Sequence, residues 1–258
     1  MPVTVTHVVS RDDGGYINIG TQGNLGSQFA TLTGKTFCFW LRTVDANNII
    51  PMGFNWFAYD GIGSSGYALF QINSKWTTDY TGEANSVNYY PPSNSTAWAY
   101  WKATGVDFND SQYHHHCIAW TGSLTTPTVN YYVDGVITGG AWNDYSDGPV
   151  VARGNLTADN YIGCTQKTVS NTLQDFASFR LADYRIYDRC LSGAEIFQIF
   201  KQRGRDTIRR GLHARYPFQG STINMGSYRT SAILANDAGV TPTYNNDRVL
   251  RGVRRKVM

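Results

Sequence analysis

The chain has 258 residues, 41% of them hydrophobic and 16% charged, with 26 glycines, 14% aromatic residues and a formal net charge of +3. A chain of this length makes one large β domain or two small ones, and its aromatic and glycine content fits many short strands and turns better than a helical bundle. No apolar run approaches the roughly 18 residues of a membrane span, and "MPVTVTHVVSRDDGG" lacks a basic segment followed by a long apolar core, so the sequence predicts no membrane span, no secretory signal and folding in a cytosol.

Taken in chain order, the first 180 residues read as strands separated by turns. "YINIG" (16–20) alternates, and "KTFCFWLRTV" (35–44) puts Phe37, Phe39 and Leu41 on one face with Cys38, Trp40 and Arg42 on the other. "YALFQIN" (67–73), "YHHHCIAW" (113–120), "TVNYYVDG" (128–135), "NYIGC" (160–164) and "FASFRLADYRIYD" (176–188) follow, broken by Gly, Asn and Asp, the pattern of an antiparallel sandwich. "VDGV" (133–136) predicts an Asp-Gly hairpin turn. The period then changes. "LSGAEIFQIFKQRGR" (191–205) has Ser192 with Glu195 three residues on, a capping box, then an apolar stripe of Ile196, Ile199 and Phe200, and Gly204 as the stop. "GLHARYPF" (211–218) predicts one more strand, and the remainder is polar, turn-rich and basic, an extension without a core of its own.

The four cysteines, Cys38, Cys117, Cys164 and Cys190, form no C-x-x-C pair and fall in apolar or strand-like runs, so they are expected as free buried thiols rather than a disulfide framework. Charge is unevenly spread. Residues 201–258 carry twelve Lys/Arg against three Asp, a surplus of nine positive charges, which leaves the preceding 200 residues at −6. A basic end on an acidic body implies either an acidic partner or a solvated tail.

"FASFRLADYRIYDRCLSGAEIFQIF" resembles the closing motif of laminin-G-like, concanavalin A-like jelly rolls, in which a strand ending in "D-x-R-I-Y-x-R-x-L-S-x-x-E-I" runs into a short helix. Asp183, Arg185, Ile186, Tyr187, Arg189, Leu191, Ser192, Glu195 and Ile196 carry the match. "YINIG", "FCFWLRT", "YHHHCIAWTG", "NYYVDG" and "NYIGC" resemble earlier strands of the family in the expected order, so the likeness covers about residues 14–203. It implies an all-β fold, a two-sheet antiparallel jelly-roll sandwich with one short helix, over residues 1–203 with the helix at 192–203. A basic C-terminal strand and extended arm would occupy 204–258. The segment "RGRDTIRRGLHARYPFQGS…DAGVTPTYNNDRVLRGVRRKVM" resembles the ends of bacteriophage-encoded proteins that carry this jelly roll and are taken to be virion components.

"QYHHHCIAW" (112–120) raises the question of a metal. Successive strand residues face opposite ways, so His114 and His116 share one face and His115 and Cys117 the other, and three adjacent residues cannot converge on one ion. A clip of His114 and His116 needs a third ligand that the sequence does not offer nearby. No metal and no cofactor are expected, whereas calcium stays open.

Glycoside hydrolases occur among such jelly rolls and need two carboxyl groups across a cleft. This chain has two glutamates, Glu195 in the cap and Glu83 alone in "YTGEANS", and its seventeen aspartates mostly punctuate turns. Enzymatic activity is therefore not expected, and glycoside hydrolysis ranks third among the functions considered. The stretch "NSVNYYPPSNSTAWAYWK" (85–102) gathers Tyr89, Tyr90, Trp98, Tyr100 and Trp101. Stacking on sugars, contact with a protein, and packing of the loop's own core are all open for it. Arg209, Arg210, Arg248, Arg251, Arg254, Arg255 and Lys256 are the candidate anchoring residues of the basic end. The resemblance to phage virion components, taken with these features, implies a non-enzymatic virion structural protein made in the host cytoplasm, a capsid decoration or cement protein. It would self-associate and bind the major capsid or other virion proteins. Val249, Leu250 and Val253 favour a protein over nucleic acid as the partner of the arm. Cutting at Gly204 is expected to leave a folded jelly roll that no longer attaches. The alternative function is a lectin-like carbohydrate-binding module.

Overall fold

The alternation in "KTFCFWLRTV" frames the fold. In a computed structural model describing residues 5–10, 15–21, 34–43, 50–51, 55–56, 67–68, 70–72, 87–89, 100–103, 110–121, 128–143, 159–166, 173–174, 179–218, 233–236 and 243–247, Phe37 and Phe39 face one side of their strand and pack on Tyr184. Cys38 and Trp40 face the other side, where the helix lies.

The strands are β1 (Val5–Ser10), β2 (Gly15–Thr21), β3 (Lys35–Thr43), β4 (Ile50–Pro51), β5 (Asn55–Trp56), β6 (Tyr67–Ala68) and β7 (Phe70–Ile72). Next come β8 (Val87–Tyr89), β9 (Tyr100–Ala103), β10 (His114–Trp120), β11 (Val129–Val133), β12 (Val136–Thr138), β13 (Ala141–Asn143) and β14 (Asp159–Ile162). The chain continues through β15 (Thr165–Gln166), β16 (Leu173–Gln174), β17 (Phe179–Tyr187), helix α1 (Gly193–Gln202), β18 (Leu212–Tyr216), β19 (Ile233–Asn236) and β20 (Thr243–Asp247).

Among the described residues all pairing is antiparallel, and the strands form a jelly-roll sandwich. One layer is an eight-stranded sheet in the order β12-β11-β10-β3-β17-β1-β20, with β18 also against β17. The other strands form a five-stranded sheet, β13-β9-β8-β7-β4, a three-stranded sheet, β14-β2-β19, and two short pairs, β15-β16 and β5-β6. Ile17, Ile19, Phe37, Phe39, Tyr131, Ile162, Phe179, Tyr184 and Ile186 are almost fully buried. Each such large apolar side chain contributes about 1.5–3 kcal/mol. The hairpin predicted at "VDGV" is present: Asp134 and Gly135 have φ of 51° and 73°, and Val133 pairs with Val136. Two consecutive left-handed residues give the turn a twist that matches its strands.

Strand β17 serves two neighbours along one side. β1 pairs with Phe179–Leu181 and β18 with Tyr184–Tyr187. At the changeover Asp183 takes φ 47°, the register on β3 shifts between Ala182 and Arg185, and the Asp183 N–H donates to the Pro217 carbonyl at 3.3 Å. One extra residue in a strand re-aims the side chains beyond it. Here it directs Asp183 and Arg185 into a buried ionic chain. Arg185 donates to Asp183 and, through Nη1 and Nη2, to both carboxylate oxygens of Asp206 at 2.9 and 2.8 Å. Arg215 Nε donates to Asp183 at 2.7 Å and Arg215 Nη2 to the Gly204 carbonyl at 2.8 Å. The "D-x-R-I-Y" part of the closing motif is thus a clamp on the chain leaving the helix.

Helix α1 begins as predicted. Ser192 Oγ accepts from the Glu195 N–H at 3.3 Å, and the Ser192 N–H donates to Glu195 Oε2 at 2.9 Å. Arg189 adds a two-point ion pair to the same carboxylate. Arg203 and Gly204 close the helix with φ of 48° and 84°. Ile196 and Ile199 bury against Cys38, Cys117, Ala119, Tyr132 and Tyr187 on the outer face of the large sheet, while half-buried Phe200 stacks on Trp40.

Beyond the helix, β18 is the strand predicted in "GLHARYPF". The polar stretch expected as an extension also contributes β19, paired with β2, and β20, paired with β1. Residues after 203 therefore supply strands that pair with β17, β2 and β1.

Candidate functional site

Two regions single themselves out by their residue types. In the five-stranded sheet, strand register sorts the aromatic stretch. Phe70 pairs with Tyr89, Tyr89 with Trp101, and Trp101 with Trp142, a row of four aromatic residues crossing four strands. Residues directly opposite in a sheet share a face. The next row, Ile50, Ile72, Val87 and Ala103, lies two residues along and falls on the same face. The alternate positions are Pro51, Gln71, Asn88, Lys102 and Ala141, with Asn143 opposite Tyr100. Of the five candidate contact residues, Tyr89 and Trp101 thus share one alternation of the register and Tyr100 takes the other. Tyr90 and Trp98 lie outside the described residues.

The second region is the histidine strand, and its faces separate as predicted. His115 packs against Trp40 and Phe200 on the helix side, whereas His114 and His116 lie on the other side, 6.5 Å apart between ring centres. His114 sits between two carboxylates, with Nδ1 2.8 Å from Asp134 Oδ2 and Nε2 3.0 Å from Asp110 Oδ1. Ionised carboxylates only accept, so both ring nitrogens must donate and the imidazole is held as a cation. Burial alone would lower the His114 pKa, but the hydrogen bonds and charges of Asp134 and Asp110 raise it above the ordinary value. Asp134 also accepts the His115 N–H at 2.9 Å, which ties the hairpin turn to β10. His116 Nδ1 lies 2.6 Å from the Tyr131 hydroxyl. Burial pushes the His115 pKa down to about 4 and holds that of His116 well below its usual value. Among the described residues, no group of three or more His, Cys, Asp or Glu is arranged to hold a metal ion.

The described carboxylates near these regions are engaged. Asp183 and Asp206 hold Arg185, and Asp110 and Asp134 hold His114. The Arg189 hydrogen bond keeps Glu195 ionised down to about pH 2. None of these is poised as a general acid near neutrality. Glu83 lies outside the described residues. Of the anchoring candidates, Arg209 and Arg210 are exposed in the loop between α1 and β18, with Arg209 Nη1 3.7 Å from Asp206. Arg248, Arg251, Arg254, Arg255 and Lys256 lie outside the described residues.

Residues 11–197 match the family described as the concanavalin A-like lectin/glucanases superfamily, Laminin_G_3. No curated protein matches the chain. Among solved structures, the chain is similar to a candidate carbohydrate-binding protein from Bacteroides ovatus, with a TM-score of 0.61 and 13% identity over 95% of this chain. It spans 61% of that protein's length. It is also similar to a heptameric SAP-like pentraxin from Limulus polyphemus, with a TM-score of 0.49, 10% identity and coverage of 93% of this chain and 95% of that one. A third likeness is to the binding domain of botulinum neurotoxin DC, solved with rat synaptotagmin II, with a TM-score of 0.44, 13% identity and coverage of 76% and 42%. At such identities the likeness to the Bacteroides protein is one of fold.

Proposed function

Since the chain belongs to the concanavalin A-like lectin/glucanase superfamily, we propose that it is a non-enzymatic recognition module that binds carbohydrate on the polar face of its five-stranded sheet. The observation that carries this reading is the two-faced register. An antiparallel sheet with one apolar and one polar face buries the first and hydrates the second. On this reading the row Phe70, Tyr89, Trp101 and Trp142 belongs to the sandwich interior. Gln71, Asn88, Tyr100, Lys102 and Asn143, on the opposite alternation of the register, would then be the outward set. Amides and an ammonium group bond sugar hydroxyls, and a tyrosine ring offers an apolar face for stacking. The engaged state of Asp183, Asp206, Asp110, Asp134 and Glu195 supports binding over hydrolysis. Affinity electrophoresis in polysaccharide gels, backed by a glycan array, tests the proposal. Wild type should be retarded, Tyr100→Ala and Asn143→Ala should run freely at unchanged melting temperature, and Trp101→Ala should lose stability. A wild type retained by no glycan would sink the reading.

A second reading sets this module on a bacteriophage particle as a capsid decoration protein. It rests on the phage-like segment after the helix and on exposed Arg209 and Arg210 beside it. The partner would be an acidic capsid surface, and many weakly attached copies would bind it by avidity. Adding purified chain to bare capsids tests it. Saturable, stoichiometric uptake weakened by Arg209→Glu/Arg210→Glu supports the reading, and no uptake refutes it.

A further inference from the structure

Cys38 and Cys117 stand directly opposite each other in the β3–β10 pair, and their sulfurs are 2.7 Å apart. Both are free thiols and both are completely buried. Directly opposite residues of antiparallel strands have Cα atoms about 4.5–5.5 Å apart. A disulfide accepts Cα separations of about 4.4–6.8 Å and needs its sulfurs at about 2.04 Å. The two thiols therefore meet the requirement of a bridge with a shift of side chains and none of backbone. The other cysteines are placed differently. Cys164 is buried next to β14, and half-buried Cys190 packs at the rim of the cluster under α1.

We propose that Cys38 and Cys117 are a cross-strand disulfide site, closed by thiol–disulfide exchange with a low-molecular-weight disulfide such as oxidised glutathione. One cysteine, as thiolate, attacks a glutathione sulfur and forms a mixed disulfide, releasing one reduced glutathione. The second cysteine, as thiolate, then attacks the protein sulfur of the mixed disulfide and releases another. The two protein thiols lose two protons and two electrons, and both appear in two molecules of reduced glutathione. Leu191, just before α1, and Ile196 and Ile199 within it cover the pair, so exchange takes place before the helix docks or when it lifts. The bridge would staple the two strands that frame β4 to β9, a sequence separation of 79 residues. It would restrict the unfolded chain over the segment that holds Gln71, Asn88, Tyr100 and Lys102 of the proposed binding face. The site rests on the geometry of Cys38 and Cys117 and is independent of that binding face.

The test starts from full-length chain purified under reducing conditions. One portion is held folded in oxidised glutathione, and another is refolded from urea in the same buffer. Each is then denatured, alkylated with iodoacetamide, digested and read by mass spectrometry. The expected result, in at least one portion, is a linked peptide pair carrying Cys38 and Cys117, lighter by two hydrogens, with Cys164 and Cys190 alkylated. The linked protein should melt at a higher temperature than the reduced one and return to the lower value with reductant. Cys190→Ser should keep the link. Alkylation of both Cys38 and Cys117 in both portions, or a link from either one to Cys190 or Cys164 instead, overturns the proposal.

Discussion

Arg185 and Asp206 meet through two parallel hydrogen bonds, and neither side chain has any contact with solvent. Desolvating two charges is costly, and geometry this close recovers the cost only while both partners are present. Replacing Arg185 by Met should destabilise the protein by about 3–5 kcal/mol, since it leaves buried carboxylates unpaired. Urea denaturation measures this. The double variant Arg185→Met/Asp206→Leu should lose less than the two single changes together. Additive losses would mean that the pair is not coupled.

Histidines set the pH response. The folded pKa values of His115 and His213 are lowered to about 4, and that of His116 also lies below its usual value, in each case first through burial. The unfolded chain binds protons at these sites from about pH 6.5 downward, so each lowered group draws stability away as the pH falls from there. For His115 alone the loss approaches roughly 3 kcal/mol by pH 4. His114 acts in the opposite sense. Its raised pKa gives stability that is fully present below about 6.5 and is lost as the pH rises through the folded value. With three lowered groups against one raised, the melting temperature should fall between pH 7 and pH 5. The fall should be steeper in His114→Gln. A flat profile in calorimetry would contradict this account.

Gly163 has φ 90°, and a Cβ there would come within 2.3 Å of Phe179 Cε1. Gly163→Ala combines a left-handed backbone with overpacking and should cost roughly 3 kcal/mol or more. Chemical denaturation should show it, whereas Gly139→Ala, with open space around its Cβ, should leave the midpoint nearly unchanged.

Ser192→Ala removes the side-chain acceptor of the capping box and should cost about 1 kcal/mol. Glu195→Gln keeps the shape but gives up the charge that Arg189 holds. Both variants should melt below wild type, and an unaltered Ser192→Ala would argue against the cap.

A chain cut at Gly204 loses Asp206 and Arg215 from the buried ionic chain, together with β18, β19 and β20. The sequence alone predicts a jelly roll that folds without its end. The pairing of β18 with β17 reverses the expected outcome: the truncated chain should be insoluble or lack the β-sheet circular dichroism of the full chain.

Local signals are the legible ones. Ser192 with Glu195, the Asp-Gly turn and the two faces of β3 each lie within a few residues, and each reads correctly from spacing alone. Partnerships across the fold do not read. Asp183 and Arg215 are 32 positions apart and meet because of a bulge that no residue type announces. The "TYNND" of β20 is a polar edge strand without apolar alternation, so it resembles a tail. The Asp110–His114 spacing of four is visible, but the second carboxylate, Asp134, comes from the hairpin turn and depends on the β10–β11 register. The division of Tyr89 and Trp101 from Tyr100 likewise needs the pairing of β7, β8, β9 and β13.

The order of the large sheet has a consequence for synthesis. β17 lies between β3 and β1, so β1 has no place beside β17 until residues 179–187 have left the ribosome as well. β1 also waits for Thr243–Asp247 to cover its other edge. Until then the nascent chain carries strands with unsatisfied edges, the state most open to pairing with a neighbouring copy. Such long-range closure folds slowly. A pause or a premature stop between the codons of β17 and β20 should therefore be far more damaging than the five residues of β20 would suggest.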